Sequence, residues 1–418
     1  MSGNQIIVVG GGAAGFFAAI AAAEQGAQVL LLEKAARFLD KVRISGGGRC
    51  NVTHALFDPR EFAARYPRGG RALLGPFQQF SARDTVAWFE SRGVKLKTEA
   101  DGRMFPITDS SQTVVDCLYD AAMKAGVQFR LNCAVESIAH DAGGFAITLA
   151  PVSPSPAEVI RCDKLLLATG GCRAVAAGRL AVALGHTLEP PVPSLFTFQI
   201  QSPWLTSLAG VSLEIAEVAV PLAKLRERGP LLVTHWGLSG PAILKMSAWG
   251  ARELSRLDYK FPLLVNWVPG FSIEQITAEF HARRESHGAR LVVNVSLAPL
   301  TSRLWEQLVL ASGIARETRW SVLTRSQAHA LAQQLTRTEF SVLGKSLNKD
   351  EFVTCGGVKL REVNFKTMES KLQPGLYFAG ELLDIDGLTG GFNFQAAWTT
   401  GYLAGVHAVK TLTANERQ

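Results

Sequence analysis

The sequence predicts an α/β fold, a Rossmann-like nucleotide-binding domain interrupted by an inserted module. Three observations lead there. A β-branched strand runs into Gly10-Gly-Gly12-Ala-Ala-Gly15 and an Ala-rich helix. A strand–glycine–acid segment and a helix close the chain near its other end. Between them, from about residue 192 to 350, the pattern changes to short β-like runs and then basic helices.

Composition sets the bounds. At about 150 residues per domain, 418 residues suggest two or three domains. With 47% hydrophobic and 19% charged residues, the chain can bury a large core, which excludes a disordered protein. No uninterrupted apolar run of about 18 residues occurs, so no transmembrane helix is expected. The stretch from Ile6 to Leu32 is broken by Gly10-Gly11-Gly12 and Glu24-Gln25-Gly26, and Met1 to Gln5 holds no Lys or Arg, so no signal peptide is expected. Six cysteines without a CxxC exclude a disulfide framework and a zinc ribbon, and a cytoplasmic location is expected. A formal charge of +7 permits an anionic partner without demanding one.

Gln5 to Val9 reads as a short buried strand. Gly10 makes the tight turn, Gly12 lets the backbone approach a pyrophosphate, and Gly15 lets helix pack on strand. The helix runs from about Ala13 to Gln25 and is capped by Gly26; Gln28 to Leu32 forms the next strand. Glu33 closes that strand, placed to accept hydrogen bonds from an adenosine ribose. Dinucleotide binding follows, without distinguishing FAD from NAD. Lys41 to Asn51 is a second glycine-rich loop, in which Ser45-Gly46-Gly47-Gly48 is flanked by Lys41, Arg43 and Arg49. Such a loop brings backbone N–H groups and positive charge to a large anionic or electron-rich ligand.

Helices are expected over Ser81 to Ser91 and Ser110 to Lys124. Strands are expected over Val127 to Leu131, Ala134 to Ala139, Phe145 to Leu149 and Val159 to Cys162, with a proline-rich loop at 151–156. Lys164 to Gly171 is an apolar strand ending in Thr169-Gly170-Gly171, the form taken where a strand end abuts a ligand. Residues 195 to 267 read as short β runs plus one helix from Ser239 to about Trp249, and 272 to 337 as mostly helical. Glu351 to Val358, Gly375 to Gly380 and a helix from about Gly391 to Lys410 return to the first style. The expected domains are therefore 1–191 and 351–418, the two parts of the nucleotide-binding domain, with a β-rich insert at 192–270 and a helical one at 271–350.

Gly375 to Glu381 is a strand running into glycine and an acid, followed by Asp384, Asp386 and Gly390-Gly391-Phe392-Asn393 at the start of the last helix. In flavoproteins with two dinucleotide folds such an element contacts the ribityl and phosphate region of FAD, and the next helix end faces the flavin. Its dipole stabilises negative charge on the reduced form. A plain NAD dehydrogenase has no need of this.

With these residues assembled, the chain resembles the HI0933-like (BaiN/RdsA) family of oxidoreductases. The matching motifs are Ser45-Gly-Gly-Gly-Arg-Cys-Asn51, Thr234-His235-Trp-Gly-Leu-Ser239-Gly-Pro241-Ala-Ile-Leu244, Thr354-Cys-Gly-Gly-Val358 and Gly375 to Gln395. One departure is Phe392, where relatives usually carry Tyr. The resemblance implies non-covalent FAD in a Rossmann-like domain interrupted by a small β-barrel and a helical subdomain. It also implies hydride transfer at the flavin, with substrates ranging over uracil in ribosomal RNA, unsaturated steroid acids and small amines.

Cofactor contacts are expected from Gly10, Gly12, Ala14, Gly15, Glu33 and Lys34, and from Lys41, Arg43, Ser45, Gly46, Gly47, Gly48 and Asn51. Further contacts are expected from Val135, Thr169, Gly170, Gly380, Glu381, Asp384, Gly391, Phe392 and Asn393. Cys50 is a candidate general acid or a packed core residue, and His235 a candidate donor to a substrate carbonyl or a structural residue. Arg49, with Arg43, is expected either to stabilise an anionic flavin or to bind phosphate or acidic neighbours. Asp384 and Asp386 lack a third ligand at suitable spacing, so no metal site is expected. No second G-x-G-x-x-G occurs, so NAD(P)H is expected to dock transiently and the kinetics to be ping-pong. Arg60, Arg65, Arg68 and Arg71, with Lys224, Arg226, Arg228, Arg283, Arg284 and Arg290, form either an RNA-binding face or an ordinary solvated one. The leading reading is reduction of ribosomal RNA uracil to dihydrouridine. The alternatives are an oxidase or ene-reductase acting on a small amine or unsaturated metabolite, and a non-catalytic redox-sensing flavoprotein.

Overall fold

The computed structural model describes residues 5–151, 157–172, 175–346 and 353–415. The chain forms two units, Met1–Ser194 with Lys349–Gln418, and Leu195–Asn348. The expected loop at 151–156 lies, from residue 152 on, outside the described residues, as do Glu351 and Phe352.

The first unit is built on a seven-stranded sheet. Its five parallel strands stand side by side in the order Leu376–Phe378, Lys164–Leu167, Gln5–Val9, Gln28–Leu32, Gln128–Arg130. Two short antiparallel strands, Val363–Asn364 and Glu369–Ser370, complete one edge. Covered on both faces, the inner strands need no polar alternation, and Ile6 to Val9 and Leu165 to Leu167 are all buried. Val9 is in register with both Leu32 and Leu167, and Leu167 with Phe378. Four strands therefore end level, and Gly10, Glu33, Ala168 and Ala379 follow at one carboxyl edge. Ligands of open α/β sheets bind at that edge.

The helix Ala13–Ala23 packs along the last helix, Phe392–Asn415, so the two ends of the chain share one core. Glycine permits the approach. A methyl group at Gly401 would stand 2.4 Å from the Ala14 carbonyl oxygen, and one at Gly405 2.3 Å from that of Ala18. Replacing Gly405 by leucine must push these helices apart, at a cost of about 1–3 kcal/mol or more. The expected result is a lower urea midpoint with the denaturant slope unchanged.

The helices Ala82–Glu90 and Ser111–Lys124 start where Ser81 and Ser110 cap them. The expected strands after residue 127 are present. Val135–Asp141, Gly144–Leu149 and Val159–Cys162 form a separate antiparallel sheet. A second small sheet, Thr53–His54, Arg103–Pro106 and Leu96–Thr98, has strands too short to leave a period-two signal.

In the second unit six strands close a barrel, in the order Thr197–Ile200, Gly237–Ser239, Leu225–Thr234, Ser212–Val220, Phe261–Asn266, Thr338–Ser346. The last strand corrects the division at 270/271. The helices Ile273–Ser286, Ser302–Ala311 and Arg325–Arg337 are an excursion between the fifth and sixth strands, not a module after the barrel. Closure requires it, because Thr338–Ser346 pairs with both Thr197–Ile200 and Phe261–Asn266 and leaves neither edge bare. Barrel and helices share one hydrophobic core. The single helix expected to about Trp249 is followed by a second, Ala251–Arg256. No described helix is long and apolar enough to cross a membrane.

Candidate active site

Each fingerprint glycine has its own geometry. Gly10 has φ +111°, and a methyl group there would meet the Ala168 carbonyl oxygen at 2.3 Å; one at Gly15 would meet the Gly10 carbonyl oxygen at 1.9 Å. These two glycines serve the fold. A methyl group at Gly12 meets nothing within 4 Å, so the backbone there is open to an approaching ligand. Gly12 also caps the first helix without a side chain, and the first helical bond among the described ones is that from the Phe16 N–H to the Gly12 carbonyl. The N–H groups of the first turn are left to an anion.

Glu33 is fixed beside this turn. One carboxylate oxygen accepts from the Gly11 N–H at 2.7 Å and the other from the Ala35 N–H at 2.8 Å. Lone pairs remain on both oxygens for a ribose diol. Lys34 is exposed next to it. The Cys133 N–H donates to the Glu33 carbonyl at 2.8 Å, which brings the start of the Val135 strand alongside. Gly170, with φ +78° and nothing within 4 Å of an added methyl, continues the open rim with Thr169. Gly380 packs against Ala14, whose Cβ would lie 2.8 Å from a methyl on Gly380. The open Gly12, the free helix end and the held acid together fit the adenylate and pyrophosphate of a dinucleotide such as FAD.

The second glycine-rich segment is not simply a loop. Asp40 to Ile44 forms a helical turn, after which Ser45 turns extended and Gly46, Gly47 and Gly48 take φ of +57°, +68° and +83°. L-residues rarely adopt this conformation, and Gly47 and Gly48 present an open backbone face. The Leu39 N–H donates to the Gly11 carbonyl at 2.9 Å, tying the segment to the fingerprint turn.

The expected cations each have a partner within the protein, and Arg43 Nε is buried with none among the described residues. Lys41 pairs with Glu381 at 2.6 Å, and Glu381 also accepts from the Thr354 N–H at 3.1 Å. Arg43 donates to Gln112. Arg49 pairs with Glu99 at 2.6 Å and lies 3.6 Å from Asp109, with its guanidinium 4.0 Å from the centre of the Phe105 ring. Of the two roles expected for Arg49, acidic neighbours are the one its geometry supports.

Cys50 is fully enclosed, and burial pushes its thiol up to about 12. A proton donor has to reach its substrate, so this geometry favours the packing role over the acid. His235 lies exposed on the turn between the barrel strands Leu225–Thr234 and Gly237–Ser239, in the other unit from the fingerprint.

The segment from Asn51 to His54 is sewn to the start of the last helix. The Asn51 amide, in the orientation that matches its neighbours, donates to the Thr53 and Met104 carbonyls and accepts from the Gly391 N–H at 3.0 Å. Thr53 donates to Gln395 at 2.7 Å, and the Trp398 indole donates to the Val52 carbonyl at 2.9 Å. His54 Nδ1 is 3.0 Å from the Gly390 carbonyl oxygen, and its ring stacks on Phe392 at 4.8 Å. Asn51 and Gly391, both expected to hold cofactor, thus hold each other by these groups.

Phe392 is a core residue, 4% exposed, packed among His54, Phe62 and Tyr66. Its ring does not line an open face. The Asn393 side chain clamps the preceding turn, accepting from the Gly387 N–H at 2.8 Å and donating to the Gly387 carbonyl at 2.9 Å. Asp384 is buried, its N–H donating to the Val358 carbonyl at 3.1 Å. Asp386 is wholly buried and receives two hydrogen bonds from Arg68 and one from Ser194.

Arg68 is therefore a buried anchor and not part of a phosphate-binding face. Arg283, bonded to Glu279 and the Val295 carbonyl, is likewise mostly buried. Arg60, Arg65, Arg71, Lys224, Arg226, Arg228, Arg284 and Arg290 are exposed. Sequence reasoning missed Tyr66 and His54, read Arg68 only as one of a basic cluster, and gave Gln395, the last residue of a matching motif, no role. His54 stands three residues beyond Asn51 in the glycine-rich motif.

The family model described as "HI0933-like protein Rossmann domain" matches residues 4–407. The chain belongs to the HI0933-like family. Within it, the chain is 32% identical to the ribosomal RNA dihydrouridine synthase of Escherichia coli K12 over 90% of this chain and 91% of the relative. It is 30% identical to the 3-dehydro-bile acid delta(4,6)-reductase of Clostridium scindens, over 91% and 92%. Among solved structures it is similar in fold to a 3-ketosteroid delta1-dehydrogenase from Sterolibacterium denitrificans, with a TM-score of 0.53, 12% identity and coverage of 98% and 100%. That HI0933-like membership accounts for the Rossmann domain.

Proposed function

We propose that this HI0933-like protein is an FAD-dependent oxidoreductase that reduces a carbon–carbon double bond, with uracil of ribosomal RNA as the substrate that best accounts for its relatives. The observation that carries the reading is the open Gly12 backbone at a free helix end, beside a carboxylate fixed by two N–H groups. When bound and reduced, the flavin would supply a hydride to one carbon of the double bond, and a proton from solvent would complete the other. The chain's part is to hold it: the first helix end and Gly12 take the pyrophosphate, Glu33 the ribose, and Gly47, Gly48 and the start of the last helix the ring system. NAD(P)H is the electron donor and docks transiently, in a ping-pong scheme, because the sequence holds one dinucleotide fingerprint. An obligatory ternary complex in steady-state kinetics contradicts that scheme.

The test of the substrate is a deletion strain surveyed by nucleoside mass spectrometry of its ribosomal RNA. Loss of dihydrouridine, restored by the wild-type gene, is expected; an unchanged profile overturns the RNA reading. A second reading, reduction of a small unsaturated metabolite, is favoured by the similarly close likeness to the bile acid reductase. Salt separates the two. Arg226 and Arg228 are exposed on the barrel strand Leu225–Thr234, and Lys224 is exposed on the turn just before it. Changing all three to Gln should weaken RNA binding across sequences and lower the salt slope by about 2, at roughly 0.7 per phosphate contact on a single strand. A neutral metabolite should bind both proteins alike.

A further inference from the structure

Lys41 pairs with Glu381, Arg43 donates to Gln112 and Arg49 pairs with Glu99, so their contacts lie away from the Gly390–Phe392 turn. Two titratable side chains pack against the Gly390–Phe392 turn: Tyr66, whose hydroxyl donates to the Phe392 carbonyl and which burial keeps protonated, and His54. The Gly390 carbonyl can only accept, so Nδ1 carries the hydrogen and Nε2 is the atom that gains or loses a proton. Nε2 has no hydrogen-bond partner among the described residues, and the residue is half-buried. Glycine at 102 leaves it room, since a methyl group there would stand 2.5 Å away. Burial lowers the His54 pKa, the bond to Gly390 and the charge of Asp101 oppose that, and Arg65 and Arg103 add to it. The uncharged Phe392 ring covers one face. Burial thus favours the neutral imidazole, and negative charge beside it would favour the charged one.

We propose that His54 is a positioning residue with a switchable charge. Its Nδ1–H holds the Gly390 carbonyl, and with it the turn ahead of the last helix, while its imidazolium form offsets negative charge on a reduced flavin held at that helix end. This rests on the FAD reading above. Hydride from the nicotinamide brings two electrons and one hydrogen to the site, and the charge-balancing proton binds Nε2 from solvent.

The variant H54N keeps an N–H donor for Gly390 and lacks the titrating nitrogen; H54L lacks both. FAD dissociation constants and midpoint potentials of the FAD-loaded proteins, by dye equilibration from about pH 5.5 to 8.5, distinguish them. H54N should bind FAD within about threefold of wild type, as expected if the hydrogen bond is kept. Its potential near pH 5.5 should lie below wild type by roughly tenfold in the reduction equilibrium, about 30 mV, and the gap should close by pH 8.5. H54L should lose roughly tenfold in FAD affinity. Equal potentials for H54N and wild type at every pH, or undiminished FAD affinity in H54L, overturn the proposal alone. Wild-type protein that takes up no FAD overturns the reading beneath it as well.

Discussion

Valine at position 12 should abolish flavin uptake and leave the fold standing. Nothing in the protein lies within 4 Å of a methyl group on Gly12, so the added side chain projects into the space left for the pyrophosphate. It then covers the N–H groups of the first helical turn, which lose both ligand and water. At least a hundredfold loss of FAD affinity is expected, since several charge-assisted hydrogen bonds of about 1.5–3 kcal/mol each are denied together. Thermal unfolding of the ligand-free variant should match the ligand-free wild type. Gly15→Val makes the contrast: its side chain would collide with the Gly10 carbonyl, and the expected outcome is lost folding. If Gly12→Val binds FAD normally, the cradle has been misplaced.

Removing the Arg68 guanidinium should be among the most destabilising single changes in the molecule. Asp386 is wholly buried, and its partner Arg68 is 11% exposed at its side chain. Arg68→Met leaves that carboxylate with Ser194 alone, and an uncompensated buried charge costs about 3–5 kcal/mol. The pH dependence follows. Burial already raises the Asp386 pKa above its ordinary value, with Arg68 and Ser194 pulling it down. Without Arg68 it rises further, so the folded variant binds a proton that the unfolded chain has released. The stability deficit should therefore be smallest in acid and grow as pH rises through the ordinary carboxylate range toward neutrality. The double variant Arg68→Met/Asp386→Leu should recover much of the loss, because the pair's main cost is desolvation. FAD affinity should drop in the single variant too. Arg68 bridges Asp386 along the backbone, and the Leu388 N–H donates to the Arg65 carbonyl, so these contacts set the course of the chain into Gly390. Equal denaturation midpoints for Arg68→Met and wild type at neutral pH remove the buried pair from any such role.

What was legible in the sequence was what local chemistry dictates. The fingerprint glycines, Glu33 and the strand ends Val9 and Leu167 carry short-range signals, and they stand at one sheet edge because parallel strands in register end level. Ser81 and Ser110 announced their helices by capping. The closing of the barrel was not legible, because the pairing of Thr338–Ser346 with Thr197–Ile200 joins residues well over a hundred positions apart. The polar partners were hidden for the same reason. Arg49 looks like a free cation until Glu99 is folded beside it, and Arg68 looks like surface until Asp386 is. Cys50 carries no sequence mark of its complete burial. Asn51 and Asn393 stand where flavin contacts are expected, yet their side chains hold the site's own backbone, and the Phe392 ring, expected there too, packs in the core. Motif spacing locates a site without distinguishing what touches the ligand from what supports it.

The most direct measurement is reconstitution of the purified protein with FAD, followed by gel filtration and an absorbance spectrum. One FAD per chain, with bands near 450 nm shifted from those of free FAD and absent in Gly12→Val, is the expected result. A wild-type protein that emerges colourless and titrates no FAD contradicts the account.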